Sequence, residues 1–239
     1  MIRIEGVDKR FGKIKVLKNV NVELEDGNIF ALLGPNACGK TTLIKSILGM
    51  VVPDTGKIMV NEKSIKNDWV YRENIGYMPQ IGKYPENMKV GQVMDMIHDL
   101  RKAPNQTLDT ELYDRFNLKA TLNQKTGTLS GGTRQKVSAY LAFLFNPDIL
   151  ILDEPTAGLD PVSSMHLKEK IISEKEKGKL IVITSHVLSE LDDMVNQIIY
   201  MQEGEIIFKK SLEQLKTDTS KNKLAEAIAY IMESEIQNA

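Results

Sequence analysis

Leu33-Gly34-Pro35-Asn36-Ala37-Cys38-Gly39-Lys40-Thr41-Thr42 is the stretch that decides the fold. Residues 34–41 fit the pattern G-x-x-x-x-G-K-[ST]. A strand over 28–33 leads in, after the tight-turn pair Asp26-Gly27, and 41–50 has helical character. A strand, a glycine-rich loop and a helix in that order make a phosphate cradle. Gly34 and Gly39 let the backbone curl so that its N–H groups converge on an anion. The helix start near Lys40 adds the positive end of its dipole. Lys40 then supplies a point charge for the β- and γ-phosphates, Thr41 a hydroxyl for Mg²⁺, and Thr42 a further donor. Pro35, Asn36, Ala37 and Cys38 fill the loop between the glycines. Ala37 restricts the backbone where glycine would be freer. Cys38 is a small residue that fits the loop. A sharper reading makes its thiol reactive, because a thiol at a helix N-terminus is acidified.

Outward from the loop the chain reads as α/β. Residues 2–7 and 19–24 alternate like strands, Pro53-Asp54-Thr55-Gly56 marks a turn before a strand at 57–60, and 74–79 is a further strand. From about 85 to 145 the pattern turns helical. Val90, Val93, Met94 and Ile97 share one face, Leu108, Leu112, Phe116 and Leu118 suggest a second helix, and 132–145 a third. Strand–helix order resumes with a strand at 149–153, a helix over 162–177, a strand at 180–184 and a helix near 187–195. A hairpin over 197–208 turns at Glu203-Gly204, and Leu224, Ile228 and Ile231 form an apolar stripe near the C-terminus.

Composition narrows the function. At 239 residues with 42% hydrophobic content, the chain suits one domain with room for a subdomain. Its net charge of −1 shows no basic excess and argues against a nucleic-acid partner. One cysteine excludes an internal disulfide framework and suits a reducing compartment. The alternating start, Met1-Ile2-Arg3-Ile4-Glu5, reads as a strand and not as a signal peptide. Apolar runs such as 140–145 fall far short of the roughly 20 residues that span a bilayer.

A second set of residues lies downstream. Leu129-Ser130-Gly131-Gly132 stands before a helix. Ser130 can cap it, and Gly131 and Gly132 allow an anion close to the backbone. That is a second phosphate cradle on a different element. The apolar run 149–152 ends in Asp153-Glu154. A carboxylate at the end of a buried strand is costly unless paired, and Mg²⁺ resolves that cost at Asp153. Glu154 points to the other side of the strand end, where it can polarise an attacking water.

A phosphate loop, then Leu-Ser-Gly-Gly, then an apolar run into Asp-Glu resembles the ATP-binding-cassette (ABC) family, over residues 2–210. The resemblance implies a P-loop NTPase (RecA-like) core with a mostly parallel sheet, an N-terminal antiparallel β subdomain and an inserted α-helical subdomain. It divides the chain into an ATPase domain over 1–210, with the insertion at about 85–145, and a C-terminal helical extension over 211–239. ATP and Mg²⁺ are the implied cofactors. Gln80 matches the Q-loop glutamine that contacts Mg²⁺ or the attacking water, His186 the switch histidine at the γ-phosphate, and Asp160 the D-loop aspartate. Asp160 also reads as a turn or capping residue before Pro161. Phe11 matches the aromatic that stacks on adenine. Thr133 stands where the family usually has Gln.

In such cassettes the second cradle serves the neighbouring molecule's ATP, so Ser130, Gly131 and Gly132 imply a head-to-tail homodimer with ATP between the copies. A cassette without a membrane span implies a separate polytopic permease and a place on the cytoplasmic face of the cell membrane. The run Gly76-Tyr77-Met78-Pro79-Gln80 through Tyr84-Pro85-Glu86-Asn87 resembles the cassette of the copper-processing exporter in nitrous-oxide-reductase maturation. Lipid, polysaccharide or drug exporters are the alternative, and a non-transport ATPase acting on ribosomes or DNA is the alternative of another class. Met88, Met94 and Met96 read as core-filling helix residues and not as copper ligands.

Overall fold

A computed structural model describes residues 1–101 and 108–237. Residues 1–71 together with 180–239 form one compact unit, and 72–179 another.

The first unit opens with a long hairpin, β1 (Ile2–Phe11) and β2 (Ile14–Leu24). Ile2 pairs with Leu24 and Phe11 with Ile14. Both strands run past the apolar alternation because Asp8 staples their polar middle. Its carboxylate accepts from the Asn19 N–H at 2.8 Å and from Thr55 Oγ1 at 2.9 Å, and it pairs with Lys15. β3 (Ile29–Leu33) is buried at every residue, as expected of a strand covered on both faces. The phosphate loop follows, then α1 (Lys40–Ile47). β4 (Thr55–Val60) lies antiparallel to β1, and the short β5 (Lys63–Ser64) extends that sheet in the order β2-β1-β4-β5.

Among its described residues the second unit holds a parallel pair and four α-helices. β6 (Ile75–Met78) will pair with a later strand, and α2 (Val90–Arg101) buries Val90 and Val93. The expected second helix is short: α3 spans only Glu111–Arg115. Asn117 adopts φ 50, a left-handed conformation that stops the helix, so Leu118 begins a separate 3-10 turn, Leu118–Thr121. α4 (Gly131–Phe143) is followed by β7 (Ile149–Asp153), parallel to β6 with Met78 beside Leu152. α5 (Pro161–Glu176) closes the unit. Its buried Lys170 and Glu174, 1% and 0% exposed, join Asp109, Glu111, Lys177 and Lys179 in an ionic cluster.

The chain then returns to the first unit. β8 (Leu180–Thr184) and β9 (Gln197–Gln202) lie parallel on either side of β3. β10 (Glu205–Ser211) folds back on β9 through Glu203 and Gly204, both at positive φ as such a two-residue turn requires. The helix expected near 187–195 is only a 3-10 turn, Leu188–Glu190. Ser185 Oγ takes the Val187 N–H at 3.0 Å, a local bond that competes with helix, and Asp192 is recruited elsewhere. Both Asp192 oxygens accept from the Leu224 N–H at 3.1 Å, capping α7 (Leu224–Gln237), which follows α6 (Leu212–Thr219). Leu224 and Ile228 are buried, and Ile231 is half-buried.

Candidate functional site

The phosphate loop leaves the carboxyl end of β3. Gly34 sits at φ 146, and a Cβ there would lie 2.0 Å from the Met201 carbonyl oxygen on β9. Gly39, at φ 111, would place a Cβ 2.8 Å from the Val16 carbonyl oxygen. Both glycines are therefore dictated by close backbone approach within the unit, as well as by loop curvature. Ala37 adopts φ 63, so the expected restriction is met by holding alanine in the left-handed region, at a cost of about 1–2 kcal/mol. α1 begins at Lys40 with no side-chain cap, which leaves its first N–H groups for an anion. Lys40 Nζ donates to the Gly34 and Pro35 carbonyl oxygens at 2.7 and 2.9 Å, holding the ammonium at the loop. Pro35, Asn36, Ala37 and Thr41 are exposed, and Thr42 is half-buried. The residues thus fit a polyphosphate: backbone donors, one cation and a hydroxyl converge at one helix start.

Cys38 is 4% exposed, and Gly34 closes against its sulfur. That supports the small-residue reading and leaves a thiol reagent little access. His186 follows β8, whose register with β3 (Phe30 beside Val182, Ala31 beside Ile183) puts it beyond the same sheet end as the loop. It is exposed. Phe11, 50% exposed, presents its ring at the end of β1 with Lys9 Nζ 5.5 Å from the centroid.

In the second unit the parallel pairing of β6 and β7 brings Gln80 and Asp153-Glu154 to the same carboxyl ends. Tyr77 on β6 also belongs here: burial first, and then the charge of Asp153, raise its phenol above the ordinary value. Glu154 is 9% exposed and adopts φ 53. For a non-glycine residue that conformation costs of order 1–3 kcal/mol and persists where the surroundings over-determine it.

The surroundings are the first turns of α4. Ser130 caps the helix, accepting from the Thr133 N–H at 3.2 Å, and its hydroxyl lies 2.9 Å from Thr133 Oγ1. A serine oxygen can accept both bonds and keep its own proton for an anion. Gly131 has open space where a Cβ would stand, as an anion cradle requires. Gly132 carries a further constraint: its Cβ would lie 2.7 Å from the Gly158 carbonyl oxygen, so packing inside the chain also demands a glycine here. Asp160 caps α5, accepting from the Ser163 N–H at 2.9 Å, and pairs with Lys136 at 2.7 Å. The Lys136 ammonium, then the Ser163 bonds, hold its carboxyl well below the usual carboxylate range. Sequence reading missed Gln135, whose Nε2 donates to the Glu154 carbonyl oxygen at 3.0 Å, and Lys136. Both lie directly after a recognised motif, but nothing in their spacing shows what they reach.

A buried parallel strand running into this glycine cradle, with Lys40 and Thr41 at its helix end, defines a P-loop nucleoside triphosphatase. The profile of the ABC transporter family matches residues 17–157. The chain belongs to that family, and it is an ATPase. It is 33% identical over 231 residues to the uncharacterized ABC transporter ATP-binding protein YdbJ of Bacillus subtilis, covering 92% of this chain and 72% of that one. It is 31% identical to the lantibiotic transport ATP-binding protein SrtF of Streptococcus pyogenes, covering 89% and 92%. Among solved structures, an ATP-binding subunit of an ABC transporter superposes with a TM-score of 0.88 at 24% identity, covering 97% and 99%. A dimeric cassette, MJ0796, bound to ADP and Pi after hydrolysis superposes at 0.79 with 23% identity, covering 89% and 99%. These likenesses show the fold: an α/β P-loop core with an antiparallel N-terminal sheet and helical parts. Among the described residues no helix is long and apolar enough to cross a membrane.

Proposed function

We propose that this chain hydrolyses ATP within a head-to-tail homodimer and thereby drives a separate polytopic permease from the cytoplasmic face of the cell membrane. The observation that carries this reading is a second site suited to an anion: Ser130 presents its hydroxyl at the start of α4, beside the open face of Gly131, on an element other than the one that bears the P-loop. In this reading residues 1–210 are the ATPase domain, with the helical insertion at about 85–145, and 211–239 are an extension.

Each residue then has a task. Residues 34–39 and the N–H groups of Lys40, Thr41 and Thr42 hold the phosphates, and Phe11 stacks on adenine. Thr41, Asp153 and Gln80 would hold Mg²⁺, which neutralises charge on the phosphates when bound. Glu154 takes the proton of the attacking water, and His186 donates to the γ-phosphate. Ser130, Gly131 and Gly132 close on the γ-phosphate of the partner copy, while Asp160 lies at the junction of the copies. ATP drives closure because it gains contacts from both copies and so binds the closed state better.

The direction we favour is export. Relatives named for lantibiotic transport (SrtF) and linearmycin resistance (LnrL of Bacillus subtilis, 33% identical) support the drug-exporter reading over the copper-processing one. Two residues of the 76–87 segment that suggested copper also have packing roles. A Cβ on Gly76 would lie 2.1 Å from the Ala142 carbonyl oxygen, and the Tyr84 hydroxyl donates to Ser138 Oγ at 3.2 Å. Met88 precedes α2 and, like Met94 within it, is half-buried, whereas Met96 is 37% exposed and is not core. The test is a host strain lacking the chain, complemented with wild type or Glu154→Gln and challenged with lantibiotics and linearmycin. Hypersensitivity cured by wild type alone supports the proposal. Unchanged sensitivity with loss of copper-enzyme activity overturns the cargo reading.

A further inference from the structure

Helix α4 does more than present Ser130. Gln135, 4% exposed, turns its amide toward the segment that follows β7. Its Nε2 donates to the Glu154 carbonyl oxygen at 3.0 Å and lies 3.5 Å from that of Pro155. The Glu154 carbonyl oxygen also accepts the Ala157 N–H at 3.2 Å. The Gln135 bond is therefore not needed merely to satisfy a buried acceptor. It is spent on a peptide whose residue stands at φ 53, where only firm neighbours keep a non-glycine residue. The same helix supplies the flanking contacts: Gly132 packs under the Gly158 carbonyl, and Lys136 pairs with Asp160.

We propose that Gln135 is a positioning residue for Glu154: its amide clamps the Glu154 peptide and so aims the carboxylate. This rests on the reading of Glu154 as the base. The clamp has a second consequence. Ser130 begins the helix that carries Gln135, so the helix that receives one copy's phosphate also holds the base that serves the other ATP.

The test compares Gln135→Leu and Gln135→Met, which fill the space and cannot donate, with Glu154→Gln and with the double variants, in the full-length chain. ATP turnover, ATP affinity and thermal midpoint are measured for each. A misplaced base costs about 10- to 100-fold in kcat. We expect that loss in both Gln135 variants, with KM for ATP within about threefold of wild type. In the Glu154→Gln background, followed by slow single-turnover hydrolysis, either Gln135 variant should add less than about twofold, because a residue acting through Glu154 has nothing left to position. Wild-type kcat in both Gln135 variants beside an inactive Glu154→Gln overturns the proposal and leaves the base intact. Losses that multiply in the double variants also overturn it, since they show a role apart from Glu154. Wild-type turnover in Glu154→Gln overturns the reading of the base itself.

Discussion

Gly131 and Gly132 are adjacent, yet they stand in different surroundings, and alanine at each separates the two. At Gly132 a Cβ would meet the Gly158 carbonyl oxygen at 2.7 Å, a contact that forces backbone to shift. Such overpacking costs about 1–3 kcal/mol. For a chain of this length each kcal/mol moves the midpoint by about 2–4 °C, so Gly132→Ala should melt about 2–12 °C lower. At Gly131 nothing lies within 4 Å of the added methyl, and the residue opens α4. Gly131→Ala should therefore melt within about 2 °C of wild type. Its defect appears only when an anion must approach: ATP turnover should fall about tenfold or more, as when a donor to developing phosphate charge is displaced. The assays are thermal melting without nucleotide and steady-state phosphate release. A Gly132→Ala protein that melts like wild type refutes the packing argument. A Gly131→Ala protein of full activity refutes the cradle.

Three other outcomes follow from single residues. Ala37→Gly relieves a left-handed alanine at φ 63, worth about 1–2 kcal/mol, against about 0.4–1 kcal/mol of added unfolded-state freedom; a net gain of up to about 1.5 kcal/mol in denaturant unfolding is expected, and a loss would contradict the strain. Burial alone would raise the Glu174 carboxyl, but hydrogen bonds from Lys177, Lys179 and Lys170 outweigh it and bring it to about 2 from 4.5. A carboxyl held low in the fold stabilises above its unfolded value and loses that contribution as pH falls through the folded one. Melting temperature should thus drop between pH 4.5 and 2 more steeply in wild type than in Glu174→Gln, and parallel slopes would contradict the cluster's role. Cys38, 4% exposed, should react with a thiol reagent far more slowly in the native chain than in denaturant, with ATPase activity retained meanwhile; rapid native labelling that blocks ATP binding would restore the reactive-thiol reading.

What was legible in the sequence was whatever depends on local chemistry. The strands 149–153 and 180–184 are apolar runs bounded by polar residues, and they fold over those residues as β7 and β8. The cradle glycines, Lys40 and the Ser130 cap announce themselves by residue type and order. The misses are tertiary. The helix near 187–195 failed because Asp192 is claimed by the start of α7, 32 residues away in sequence. The β1–β2 hairpin outran its apolar pattern because Asp8 bonds Asn19 and Thr55 across two neighbouring strands. The packing demand on Gly132 was invisible, since sequence cannot show the Gly158 carbonyl above it. Gln135 carried no signal at all, because its meaning lies in the peptide it touches.

In the function proposed above, each chain carries a P-loop and a Ser-Gly-Gly cradle that complete an ATP site only between two copies. Size-exclusion chromatography with light scattering on Glu154→Gln tests it most directly, without nucleotide and with saturating ATP and Mg²⁺. Conversion to a dimer with ATP is expected, abolished by adding Ser130→Arg while each monomer still binds nucleotide. A protein that stays monomeric at saturating ATP, or a Ser130→Arg variant that dimerises and turns over ATP in full, would contradict it.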